Sequence, residues 1–300
     1  MHNYFVLNRV YDSILKLNPV IKKYGFVFEA YNSSEFFSKF DRIISFGSEL
    51  RDRTGLYRLF SIGPMFDLNV GDKLPMVLLK SINSYRIIRM ETNQEVSTIQ
   101  KNQKAFVNKL VTVLRLYKNG MMEETMEFQY DINTKKWGSI GINKMRKNFI
   151  ADEYTIDDND VEKIALLLSK DIKIKPLSKL AFESFNEYYS IEQMSLKYVT
   201  LMTALESVFN KGKDQIAHTC SRHLAILLSD NVDSFNENYK NMKSLYNYRS
   251  KIVHGENYKK LELEKKILQL ENYVRNVLNI ILFKDCSKDE LFMELNSKGF

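Results

Sequence analysis

Apolar positions follow two different rhythms along the chain, and the change falls near residue 155. Before it lie short runs rich in β-branched and aromatic residues, at 42–46, 57–62, 85–90, 110–117 and 126–130, which predict strands. Lys118-Asn119-Gly120 separates the last two and suits a hairpin turn. Amphipathic stretches at 4–24 and 33–39 predict helices. Gly47, Gly55, Gly63 and Gly71 recur without a repeat between them and read as turns, while Phe36, Phe37 and Phe40 read as core. An α+β domain over residues 1–155 follows.

Beyond it the period lengthens. Ile191, Met194, Tyr198, Leu201, Leu205 and Val208 advance in steps of three and four, which places them on one face of a helix over 190–210. Gly212 interrupts the pattern, and further helices are predicted at 214–229, 235–253, 261–283 and 289–295, with Gly255 as the stop after the third of these five helices. The outcome is an all-α bundle over residues 160–300. Between the domains, Ala151 to Asp160 holds five acids in ten residues. It lacks the central glycine and closing glutamate of a calcium loop, and reads as a solvated linker ending in a helix N-cap at Asp160.

Composition narrows the class. With 44% hydrophobic and 27% charged residues among 300, the chain is globular rather than disordered. Its apolar runs, such as 164–168 and 280–283, fall far short of the roughly 20 residues that span a bilayer, and no secretory signal opens the sequence. Cys220 and Cys286 form no Cys-x-x-Cys pair, so neither a disulfide framework nor a four-cysteine zinc site is expected. A soluble, cytoplasmic protein without metal, cofactor or membrane partner is the expectation. The net charge of +7 is shared almost evenly by the two halves and does not by itself call for a polyanion.

Candidate chemistry gathers around histidine. His2 is near the N-terminus; His218 and Arg222 share a helix face at i, i+4; His223 points elsewhere. His254 closes the string Tyr248-Arg249-Ser250-Lys251-Ile252-Val253-His254-Gly255. On a regular helix, five residues put His254 roughly 140° from Arg249 and about 7.5 Å further along the axis. A turn at Gly255, the reach of the arginine, or a second subunit is needed to bring the two together.

This string, preceded by 201–209 (Leu-Met-Thr-Ala-Leu-Glu-Ser-Val-Phe) and by 216–228 (Ile-Ala-His-Thr-Cys-Ser-Arg-His-Leu-Ala-Ile-Leu-Leu), resembles the ApeA-like branch of the HEPN family over residues 165–290. The resemblance implies a helical, dimeric, metal-independent endoribonuclease of antiphage abortive-infection type. It implies His254 as acid and base and Arg249 as phosphate clamp, with Glu206, Asn247, Ser250 and Lys251 as supporting candidates. His218 and Arg222 become candidate RNA-binding residues. Many members carry Asn, Asp or His where this chain has Ser250. Histidine suits proton transfer near neutral pH, and a guanidinium can hold a phosphate through two parallel hydrogen bonds.

The expected partners are an RNA substrate such as tRNA, a second copy of the chain, and a phage-derived trigger or regulatory protein. The N-terminal half has no P-loop, dinucleotide turn or nucleophile elbow, and a sensor or regulatory role follows from the two-domain layout alone. Two other readings remain open. One is a catalytically silent HEPN fold that binds RNA or protein; the other is a toxin of a toxin–antitoxin pair, silenced by modification of Tyr246 or Tyr248.

Overall fold

A computed structural model describes residues 1–40, 76–120, 122–142, 152–172, 174–212, 215–256 and 258–298. The described chain divides into two compact units: the first holds most residues up to Ser169, and the second the residues from Lys170 onward with Leu116–Asn119.

The first unit is built on an antiparallel sheet of β1 (His2–Asn8), β2 (Phe26–Tyr31), β3 (Met76–Ser81), β4 (Glu123–Asp131) and β5 (Lys136–Ile142), in the order β2-β3-β1-β4-β5. β1 is central: Tyr4 lies opposite Lys80 of β3 on one side and Phe128 of β4 on the other. Tyr4, Phe5, Val6 and Leu7 are all buried, so both faces of this strand are covered. The stretch 4–24, expected to be helical, is therefore a strand followed by three short helical turns over Asp12–Leu17, Asn18–Ile21 and Lys22–Tyr24. A continuous apolar run buried on both sides carries no period that separates strand from helix.

The helix at α1 (Ser33–Lys39) forms as expected, closed by a capping box between Asn32 and Glu35. Its Phe36, with Phe40, packs on Tyr4, Leu78, Met126 and Phe128 in the core. Two predicted strands are helices. Residues 85–90 belong to α2 (Tyr85–Thr92), and 110–117 end the 22-residue α3 (Val96–Tyr117). Along α3 the buried positions Ile99, Gln103, Val107, Leu110 and Leu114 repeat every three or four residues, a helical period that its last eight residues alone conceal. Residues 118–120 thus join a helix to a strand. Gly120 is needed there because a Cβ would sit 2.6 Å from the Tyr154 ring. The predicted strands at 42–46 and 57–62, and Gly47, Gly55, Gly63 and Gly71, lie outside the described residues.

The acidic segment is not a solvated linker. Tyr154 and Ile156 are buried, Tyr154 Oη donates to the Leu114 carbonyl at 2.8 Å, and Arg9 pairs with Glu153 at 2.8 Å. The following helix, α4 (Asp158–Ser169), starts earlier than expected. Asp157 caps it, exchanging reciprocal 3.0 Å hydrogen bonds with Asp160, which sits in the first turn.

Among the described residues the second unit is all helical: α5 (Pro176–Tyr188), α6 (Met194–Phe209), α7 (Ile216–Leu228), α8 (Val232–Val253), α9 (Lys260–Ile281) and α10 (Lys288–Ser297). α6 packs against α5 and α9, and α7 against α8. Of the face read from sequence, Tyr198, Leu201, Leu205 and Val208 are buried, whereas Met194 is half-buried and Ile191 precedes the helix. Within the bundle α9 carries a buried ion pair, Glu271 with Arg275, and Tyr189 Oη donates to Glu271 Oε1 at 2.6 Å. Among the described residues no helix is long and apolar enough to cross a membrane.

Candidate active site

The C-terminus of α8 fixes where the candidate histidine sits. His254 is the C-cap and its backbone N–H donates to the Ser250 carbonyl at 3.0 Å. Gly255 adopts φ +74°, donating to the Ile252 carbonyl, and Glu256 N–H reaches back to the Lys251 carbonyl at 2.9 Å. This pair of bonds is a complete left-handed Schellman cap, which requires the conformation glycine adopts without strain. The imidazole of His254 is exposed, and no described residue holds either of its ring nitrogens.

Arg249 faces the other way. Its Nε, buried, lies 3.3 Å from the buried Oε1 of Glu206 on α6, and its side chain keeps 30% exposure. The angle between these atoms does not make a hydrogen bond, so the contact is an ion pair. No described residue bonds either terminal guanidinium nitrogen. Tyr246, one turn earlier on the same face of α8, presents its ring 5.7 Å from the guanidinium carbon. Burial and the Glu206 carboxylate push the Tyr246 hydroxyl up to about 12. Cys220 of α7 is buried beside the same groups, and burial, with Glu206 adding to it, raises its thiol to about 12. Lys288 closes this region by donating to the Ser207 carbonyl at 2.7 Å.

Within one chain, then, the fold joins Arg249 to Glu206 and does not join Arg249 to His254. Ser250, Asn247 and Lys251 are exposed, and Asn247 and Lys251 line a concave groove on α8 and α9. His218 is exposed and its Nδ1 lies 2.9 Å from the hydroxyl of Tyr239, another residue of that groove. Arg222 is placed differently: it donates to the carbonyls of Leu295 and Lys298 at 3.2 and 3.1 Å, closing the C-terminal end of α10. The buried His223 hydrogen-bonds Asn296 at 3.0 Å and packs on Phe292, a structural position.

Tyr246 and Cys220 did not stand out in the sequence as neighbours of the arginine. The i, i+3 spacing of Tyr246 and Arg249 carries part of that signal; the approach of α6 and α7 carries the rest. The second unit is an all-helical bundle bearing an oriented arginine and an exposed helix-end histidine. No protein-family model, curated protein or solved structure matches the chain.

Proposed function

We propose that the second unit is a HEPN-type, metal-independent endoribonuclease, working as a homodimer in antiphage abortive infection with the first unit as its sensor. The supporting observation is the division of labour on α8. Glu206 grips the Nε edge of Arg249 and leaves both terminal nitrogens open, while the cap at Gly255 holds His254 out in solvent. An arginine held by one edge is prepared to receive two oxygens of a phosphate on the other.

In the proposed reaction His254 removes the proton of a 2′-hydroxyl, and that oxygen attacks the adjacent phosphorus. The P–O5′ bond breaks and the leaving oxygen takes a proton, giving a 2′,3′-cyclic phosphate and a 5′-hydroxyl end. Arg249 offsets charge on the phosphorane-like transition state. Arg249 and His254 lie roughly 140° apart around α8. In the homodimer the two α8 ends face each other, so that one His254 acts as base, its mate acts as acid, and the second copy closes the gap that a single helix leaves between the two side chains.

The test incubates purified wild type, His254→Ala and Arg249→Ala with total tRNA and with a long RNA in excess EDTA, and maps fragment ends. Cyclic-phosphate and 5′-hydroxyl ends from wild type alone support the reading; equal cleavage by the variants overturns it. The burial of Arg249 Nε against Glu206 also favours a second reading, a silent fold that uses the pair structurally and binds RNA or a partner. In that case Arg249→Ala lowers the melting temperature and no preparation cleaves. Control by an antitoxin acting on Tyr246 is disfavoured by that residue's half-buried position against Arg249 and Glu206.

A further inference from the structure

One face of α8 is a stripe of polar and cationic residues. Lys240, the adjacent pair Lys243 and Ser244, Asn247 and Lys251 are linked by spacings of three and four, and His254 falls on the same face three residues later. With Lys266 of α9 they line a groove of about 430 Å³. Four lysines and one glutamate, Glu262, give its lining a net charge of +3.

The charges are not spent within the fold. Lys266 stands 3.9 Å from Glu262, a loose pair, whereas Lys240, Lys243 and Lys251 have no carboxylate partner among the described residues. Tyr248 supplies a second, independent observation. It lines the groove at 7% exposure, and its buried hydroxyl has no hydrogen-bond partner among the described residues. A water or a ligand atom supplies the missing partner of such a hydroxyl. From Lys240 to Lys251 the stripe runs about 16 Å along the helix, and His254 lies about 4.5 Å beyond.

We infer that this groove holds the phosphodiester backbone of single-stranded RNA and delivers it along α8 to His254, an inference that rests on the ribonuclease reading. Lysines spaced along a concave track bind successive phosphates; the Tyr239 ring, the Asn247 amide and the Ser244 hydroxyl offer stacking and hydrogen bonds to bases and 2′-hydroxyls. A cationic track leading to the histidine also explains how a chain whose excess charge is spread evenly acquires a nucleic-acid path.

The experiment measures binding of a fluorescein-labelled 12-nucleotide single-stranded RNA by anisotropy between 50 and 300 mM KCl. The full chain is used with His254→Ala so that no cleavage occurs. Adding Lys240→Gln and Lys243→Gln is expected to weaken binding about tenfold at the lower salt, and to flatten the slope of log K against log salt by about 1.4, two phosphates at roughly 0.7 each. Lys163→Gln with Lys179→Gln, which removes the same charge from exposed sites elsewhere, is expected to leave the slope unchanged. Equal effects of the two pairs, or none from the groove pair, overturn the inference. Displacement of RNA by poly-glutamate at matched charge overturns it in favour of an acidic protein segment. If the groove pair acts as expected while wild type with His254 intact never cleaves RNA, the ribonuclease reading fails and the groove stands.

Discussion

Glu206 Oε1 and Arg249 Nε lie 3.3 Å apart, both buried, so one helix aims the guanidinium carried by another. Glu206→Gln keeps the shape and removes the charge that holds the arginine. On the ribonuclease reading, RNA cleavage is expected to fall about 10- to 100-fold, because a reacting group displaced by as little as about 1 Å can cost that much. The loss is expected in kcat rather than KM, with the melting temperature near that of wild type. Single-turnover and steady-state cleavage assays check this; a raised KM with intact kcat would instead mark Glu206 as part of binding.

Gly255 sets the exit of α8 at φ +74°. Gly255→Ala is expected to cost about 1–2 kcal/mol, because a Cβ disfavours the left-handed region, and Gly255→Asn less. Urea unfolding of the three proteins measures the order. No neighbouring atom lies within 4 Å of a Cβ built there, so the loss is conformational rather than steric.

The buried pair on α9 predicts an asymmetric response. Arg275→Met strands the Glu271 charge, already fully buried, and is expected to destabilise by about 3–5 kcal/mol. Glu271→Leu combined with Arg275→Met is expected to recover part of that loss, since no charge stays buried, while the Tyr189 hydroxyl loses its acceptor. Calorimetry or denaturant unfolding of single and double variants tests the coupling.

His223 gives the bundle a pH response. Burial lowers its pKa, aided by the nearby Arg222 and His218 and opposed by the Asn296 hydrogen bond. The unfolded chain therefore binds a proton more readily than the folded one. The stability this provides is full above the unfolded value near 6.5 and is lost as pH falls through the lowered folded value. His223→Gln is expected to flatten the decline of melting temperature below pH 6.5, measured by scanning calorimetry across that range.

How much of this was legible in the sequence depends on burial geometry. The helices of the second unit could be read because each exposes one face and buries the other: Tyr198, Leu201, Leu205 and Val208 keep a helical period. The first unit resisted reading where that asymmetry vanishes. Tyr4 to Leu7 are covered on both sides, so a central strand resembled part of a helix, and the β-branched tail of α3 resembled a strand when seen apart from Ile99 and Gln103. Asp160 was recognisable as a helix-start residue, but its reciprocal bonds with Asp157 shift the start by one turn. At the candidate site, Arg249 and His254 were singled out by residue type and spacing, and Glu206 by the family resemblance. The 3.3 Å approach of α6 to α8 was not legible, because it depends on packing across more than forty residues.

The place of β1 in the sheet also constrains synthesis. His2–Asn8 emerges from the ribosome before either neighbour, Met76–Ser81 or Glu123–Asp131, exists. At about 5–20 residues per second, the wait for its later partner is roughly 6–24 s. During that interval the apolar central strand has no sheet to enter, so this unit depends on delayed, long-range closure and on whatever shields the nascent strand until then.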